Sequence, residues 1–267
     1  MSSSDLRGEA PDRTAAIELR AVRKTFGGFV AVDVDKVRVS PRRATALIGP
    51  NGAGKTTLFD IVTGFVPPSA GTVIFEGDDV TAHSPQWRAA HGLVRTFQLT
   101  RTFERLSVLD NMLVGSMPAG RHGLLRSALA PWAMRKDEKI ARERAHDLLA
   151  RVGLTHVVDL AAGALSGGQK KLLELSRALM GDPKVLMLDE PMAGVNPAIR
   201  ELMMKHIREL VDAGRTVLFV EHDLPRVMQL ADDVIVLDRG AVIAQGSPQM
   251  ITEDPAVIKA YLGGGAA

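Results

Sequence analysis

Gly49-Pro50-Asn51-Gly52-Ala53-Gly54-Lys55-Thr56-Thr57 is the stretch on which the reading of this chain turns. The apolar run Ala44 to Ile48 before it reads as a buried parallel strand, and Leu58, Ile61 and Val62 after it fall at helical spacing. Strand, glycine-rich loop and helix in that order make a phosphate-binding loop. The glycines let successive backbone N–H groups turn inward at a helix N-terminus, where partial positive charge already favours a polyanion. Lys55 is expected to reach the β- and γ-phosphates of a nucleoside triphosphate, and the Thr56 hydroxyl to ligate magnesium.

Working outward, three more apolar runs end in polar residues. Val185-Leu186-Met187-Leu188 leads into Asp189-Glu190, which delivers two carboxylates at a strand's C-terminal edge. Asp189 suits a magnesium ion, and Glu190 suits orienting or deprotonating an attacking water. Thr216 to Val220 leads into Glu221-His222, whose imidazole is placed to contact a γ-phosphate. Gly92 to Phe97 reads as a short strand with Gln98 at its C-terminal end. Taken singly, Gln98 is an ordinary strand terminus and His222 an ordinary strand-end histidine. Leu165-Ser166-Gly167-Gly168-Gln169 opens a helix whose buried face is Leu172, Leu175 and Leu179. There Ser166 can cap while two glycines leave backbone N–H groups exposed, which makes a second anion site.

Upstream, Ile17, Leu19 and Ala21 share one face, and Val30, Val32, Val34, Val37 and Val39 follow, which predicts two half-buried antiparallel strands. Phe26 sits between them beside Gly27 and Gly28. It is either a plain core phenylalanine or a ring that stacks on an adenine. After the phosphate loop, Gly64, Pro67, Pro68 and Gly71 end the helix, and Thr72 to Phe75 resumes as a strand. Residues 98–163 change character and read as a helical insertion. Ser107 caps Val108 to Leu113, and Trp132 to Val152 is a charged helix. Its apolar stripe is Ile140, Leu148, Leu149 and Val152, with Arg142, Glu143, Arg144 and Asp147 on a solvated face. Leu99, Phe103 and Leu106 either line a groove for a partner helix or pack inside the insertion.

The 267 residues, 46% of them hydrophobic, suffice for one large or two small domains with a proper core. A net charge of +2 with interspersed signs gives no ground for a nucleic-acid partner. The chain has no cysteine, which excludes disulfides and thiolate metal sites and fits a reducing compartment. No apolar run approaches the ~20 residues that span a bilayer, and the polar start carries no signal core. Residues 1–15 and 263–267 read as disordered tails around a body at 16–262.

Gly49 to Thr57, Gln98, Leu165 to Gln169, Leu186 to Glu190 and His222, in this order, resemble the motif set of an ATP-binding-cassette ATPase, over Ile17 to about Leu237. More narrowly, Phe26-Gly27-Gly28, Val94 to Gln98, Glu190 to Pro197, Val220 to Asp223 and the ending Ala260-Tyr261-Leu262-Gly263 resemble ATPase subunits of branched-chain amino-acid importers. The resemblance implies an α/β P-loop NTPase fold. A mostly parallel RecA-like core sheet and an antiparallel β subdomain occupy 17–97 and 164–262, and an α-helical subdomain occupies 98–163. It implies ATP and Mg2+ as cofactors. Glu190, His222 and Gln98 are then catalytic, Thr56, Gln98 and Asp189 serve the metal, and Phe26, Gly49 to Thr57 and Ser166 to Gln169 bind nucleotide. Two ATPase subunits, identical or different, would form a head-to-tail dimer in which Ser166 and Gly168 of one complete the phosphate site of the other. The implied partners are membrane permease subunits and, indirectly, an extracytoplasmic solute-binding protein, with no nucleic acid. The implied place is cytoplasmic, peripheral on the cytosolic face of the inner membrane. The alternatives are the ATPase of a lipopolysaccharide-type exporter and a soluble non-transport cassette protein. Against the soluble alternative stand a single cassette, no zinc ligands and no strongly basic arm. One departure from the family pattern is Asn196, where an aspartate commonly stands.

Overall fold

The computed structural model describes residues 15–96, 102–116 and 131–262, with side chains from 137 to 261 in the last stretch. Gln98, Leu99 and the ends at 1–14 and 263–267 lie outside the described residues. Ala15, placed by the sequence at the end of the N-terminal tail, is buried.

Strands β1 (Ile17–Phe26) and β2 (Phe29–Val39) form the expected antiparallel pair. The two glycines between them take φ of 51° and 91°, which a tight hairpin turn needs and side chains resist. With β4 (Ala70–Phe75) and β5 (Asp78–Asp79) they build a four-stranded sheet in the order β2-β1-β4-β5. The expected alternation fails at Ala21. That residue has φ 47° and the β1/β4 register shifts around it, so Ala21 is exposed and Val22 takes the buried phase.

The second sheet contains β3 (Ala44–Ile48), β6 (Leu93–Arg95), β7 (Val185–Asp189), β8 (Thr216–Val220), β9 (Asp233–Asp238) and β10 (Ala241–Gly246), in the order β10-β9-β3-β8-β7-β6. All neighbours are parallel except β10 with β9. Strands β3, β7 and β8 are buried along their whole length and mostly apolar, as a sheet covered on both faces requires. One face, with Leu47, Met187, Leu218 and Ile235, shares a core with β1, β2 and helix α1 (Lys55–Thr63). The other, with Ala46, Leu188, Phe219 and Val236, packs on the helical side of the molecule. Because β3, β8 and β7 are consecutive and parallel, the loops after them leave the same edge side by side. That is where an open α/β sheet collects ligand-contacting groups.

Helix α2 (Pro85–Ala90) precedes β6, and α3 (Val108–Ser116) and α4 (Pro131–Arg151) belong to the insertion. Ser107 does cap α3, accepting from the Asp110 N–H at 2.9 Å. In α4 the expected stripe is off by one position at its start. Ala141, Ala145, Leu149 and Val152 face the core, while Ile140, about 100° round the helix from Ala141, is 53% exposed. Arg144 is not simply solvated either, since it donates to the Leu179 carbonyl at 2.8 Å and pairs with Asp182. Helices α5 (Gly167–Leu179), α6 (Pro197–Asp212), α7 (Leu224–Leu230), α8 (Pro248–Glu253) and α9 (Pro255–Leu262) complete the chain. No described helix is long and apolar enough to cross a membrane.

Arg88 in α2 is 1% exposed, and its guanidinium donates to the carbonyls of Ile61, Val62, Val80, Thr81 and His83 at 2.6 to 3.1 Å. Two of those acceptors belong to the last turn of α1, so a buried cation satisfies the C-terminus of the helix that follows the phosphate loop. Burial pulls its pKa down to about 10, opposed by Asp79. Arg88→Ala is expected to strand these acceptors at a cost of about 3–5 kcal/mol, lowering the melting temperature by roughly 10 °C. A thermal melt with no shift would disprove the assignment. A lysine in its place would offer three donors from one point instead of a planar fork, so Arg88→Lys is expected to recover little.

Candidate active site

Gly49 begins the loop immediately after β3 with φ 148°, and a Cβ there would stand 2.0 Å from the Leu237 carbonyl oxygen, so no side chain fits. The loop residues Gly49 to Gly54 then wrap toward α1, whose N-terminal residue is Lys55. The Lys55 Nζ donates to the Gly49 and Pro50 carbonyls at 2.7 and 2.9 Å, which uses two of its three hydrogens. Burial pushes this ammonium down from the usual lysine range, and Glu190 and Asp189 pull it back up. The phosphate-loop lysine and the two carboxylates at the end of β7 therefore share one electrostatic neighbourhood. Thr56 is exposed at the first turn of α1, with Thr57 beside it half-buried.

Asp189 is 4% exposed. Arg95 on β6 donates to its Oδ2 at 2.7 Å and also pairs with Asp60 of α1. Among the described residues Arg95 is the hydrogen-bond partner of this carboxylate, which leaves Oδ1 as a hard oxygen donor. No group of three histidine, aspartate or glutamate side chains among the described residues could hold a metal alone. One carboxylate and one hydroxyl, Asp189 and Thr56, fit magnesium, which dehydrates reluctantly and is commonly held with substrate phosphates.

Glu190 follows with φ 48°, and its Oε1 lies 2.6 Å from His222 Nε2. The two strand ends therefore meet: β7 supplies the carboxylate and β8 the imidazole. A base at the catalytic edge with its orientation fixed by a second group is the arrangement that proton abstraction from water requires. Buried Glu221 accepts from the Met192 N–H at 3.1 Å. Burial pushes its carboxyl up, opposed by the Met192 and His222 N–H groups and Arg226, while Glu190 adds to the rise.

Ser166 and Gln169 form a reciprocal capping box at the start of α5. The Ser166 Oγ accepts from the Gln169 N–H at 3.3 Å, and the Ser166 N–H donates to Gln169 Oε1 at 2.9 Å. Its hydroxyl hydrogen is thus left to donate outward. Gly167 has open space around it, and Gly168 lies against Ile199, where a Cβ would approach to 3.1 Å. Among the described residues, hydrogen bonds join this cap to Glu104 through Lys170, and none joins it to the phosphate loop. The expected site residues thus fall into two groups. Gly49 to Thr57, Asp189, Glu190 and His222 come together, while Ser166 to Gln169 form a separate capped helix end.

Phe26 is 49% exposed at the hairpin tip, with Lys24 Nζ 5.0 Å from its ring centroid, which rules out the core alternative. Asn196 caps α6, its Oδ1 accepting from the Ile199 N–H at 2.9 Å. Asparagine caps a helix about as well as aspartate does, so this departure keeps the local fold. Three neighbours of the site take no role from sequence alone: Arg95 and Tyr261, which lie within stretches that carry the resemblance, and Lys171. The Tyr261 phenol of α9 is half-buried beside the Gly49 N–H; burial pushes its pKa up, and that N–H opposes the rise.

Residues 32–193 match the family model described as ABC transporter, and residues 241–267 match one described as branched-chain amino acid ATP-binding cassette transporter. The high-affinity branched-chain amino acid transport ATP-binding protein BraF of Pseudomonas aeruginosa is 38% identical over 248 residues, 92% of this chain and 97% of that protein. The corresponding LivG protein of Escherichia coli K12 is 36% identical over 248 residues, with 92% and 97% covered. Among solved structures, the ADP conformation of an ATP-binding cassette of an ABC transporter superposes with a TM-score of 0.80 at 36% identity, covering 93% of this chain and 99% of that one. With phosphate loop, carboxylate pair and histidine gathered at one sheet edge, the chain belongs to the ATP-binding-cassette transporter family, as an ATP-binding and ATP-hydrolysing subunit.

Proposed function

We propose that this subunit powers the import of branched-chain or related amino acids through separate permease subunits, at the cytosolic face of the membrane. The observation that carries the reading is the match of 241–267 to the branched-chain model, added to likeness along nearly the whole chain to relatives of that name. An extracytoplasmic solute-binding protein would deliver the solute, since the chain's chemistry is all directed at nucleotide.

The backbone N–H groups of Gly49 to Thr57 and the Lys55 ammonium bind the phosphates of ATP, and Phe26 offers a ring face to the adenine. Bound at Thr56 and Asp189, with Gln98 as a further oxygen, Mg2+ would offset phosphate charge. Glu190 takes a proton from the attacking water at its carboxylate oxygen, and His222 holds that carboxylate in place. Ser166 to Gln169 present a hydroxyl and free N–H groups but carry no water-activating group. They therefore act on the nucleotide of a second ATPase subunit in a head-to-tail dimer, with two composite sites.

The test is pull-down of the tagged chain from detergent-solubilised membranes, followed by uptake of labelled leucine. Co-purification of polytopic permeases with leucine uptake lost on Lys55→Ala is expected. Absence of any polytopic partner would remove the transport assignment, and permeases without amino-acid uptake would remove the substrate class.

A further inference from the structure

Glu190 adopts φ 48°, a left-handed conformation that a residue with a side chain keeps only where its surroundings over-determine it. Its N–H donates to the Val220 carbonyl at 3.2 Å, and its own carbonyl accepts from the Ala193 N–H at 3.2 Å. The shortest contact to that carbonyl comes from elsewhere in the chain: Lys171 Nζ donates to it at 2.7 Å. A charge-assisted bond to a carbonyl is stronger than the neutral one from Ala193. Lys171 stands on α5, five residues after Ser166, on the helix whose N-terminus forms the separate capped end. Burial pushes its ammonium down, and Glu174, Glu221, Glu190 and Asp189 pull it back up.

We propose that Lys171 is a positioning residue for hydrolysis: it clamps the Glu190 carbonyl, holds the left-handed turn that aims the carboxylate at His222, and ties that turn to helix α5. This rests on the reading of Glu190 as the general base. Displacement of α5 as Ser166 engages a nucleotide then reaches Glu190 through a single hydrogen bond. A lysine that merely balanced the buried carboxylates Glu174 and Glu221 would set the stability of the fold and leave the turnover step alone.

The full-length chain separates these roles through kcat, KM, melting temperature and size-exclusion chromatography with ATP. Lys171→Met is expected to lower kcat by about ten- to hundredfold, the scale of a misplaced catalytic group. KM for ATP is expected to stay within about threefold, and ATP-bound dimer to accumulate. Lys171→Arg, which restores a charged donor, is expected to recover most of the rate. In a Glu190→Gln background, Lys171→Met is expected to add no further slowing, because both changes act on one group. A wild-type kcat in Lys171→Met, full additivity with Glu190→Gln, or a lowered melting temperature with kcat intact would each overturn the proposal. The two failures separate: slow Glu190→Gln with normal Lys171→Met sinks the clamp alone, whereas normal Glu190→Gln sinks the base assignment and the clamp with it.

Discussion

Glu190→Gln is expected to slow ATP hydrolysis by ~10²-fold or more while ATP affinity stays within a few-fold of the parent, since a positioned base contributes 10²–10⁴. The amide keeps the size of the carboxylate and can still meet His222 Nε2, now 2.6 Å from Glu190 Oε1, but it cannot accept the water's proton. Phosphate binding is untouched, because Lys55 and the loop N–H groups supply it. The ATP-bound dimer should therefore accumulate, visible as an ATP-dependent shift on size exclusion. Lys55→Ala separates from this variant by losing nucleotide affinity together with turnover. Turnover of Glu190→Gln at the parent rate in the assembled complex would sink the role.

Much of the site is legible in the sequence because its parts are contiguous. A loop, a strand end and a helix cap each fit within nine residues, and the chemistry of each is set by local backbone geometry. Gly49 to Thr57, Asp189-Glu190 and Ser166 to Gln169 are found in that way. What escapes depends on pairings across the fold. Arg95 meets Asp189 from 94 positions away and Lys171 meets the Glu190 carbonyl from 19. Neither pairing has a local sign in the sequence. Arg88, which takes no role from sequence alone, is buried among five carbonyls. The errors at Ala21 and Ile140 have a common origin. Periodicity is counted from an assumed phase, and a left-handed residue in a strand or a helix face set by its neighbours resets that phase without a local sign.

The arrangement explains how a nucleotide can move something beyond itself. β6 carries Arg95, which grips Asp189 and Asp60, and the same strand leads three residues later to Gln98 and the insertion. The insertion in turn packs on α5, which carries both Ser166 and Lys171. Asp189, the Glu190 turn and the Ser166 cap are therefore tied to two elements, β6 and α5, that border the same helical block. Under the proposed function, a shift of that block relative to the sheet would change all three, and a membrane partner would need to grip only the block.

Phe103→Glu is expected to abolish both transport and co-purification with the permease while the isolated subunit keeps its melting temperature within about 2 °C and its affinity for ATP. Phe103 is 49% exposed, with Leu106 and Val114 exposed nearby, so these side chains are not packed inside the insertion. The backbone beneath them is firmly held. Asn111, fully buried, accepts from the Phe103 N–H at 2.8 Å and donates to the Phe103 and Ser107 carbonyls at 3.0 and 2.9 Å. An apolar surface on a pinned backbone suits the reception of a short amphipathic helix from the permease, where the ring would be buried on docking. A carboxylate there costs the folded subunit little, since surface changes usually stay within about 0.5 kcal/mol, and Arg177, 5.5 Å from the ring, can compensate it. In the complex the same carboxylate would be driven into an apolar contact and oppose assembly. A large fall in melting temperature would place Phe103 in the core after all, and retained co-purification with normal transport would put the docking surface elsewhere.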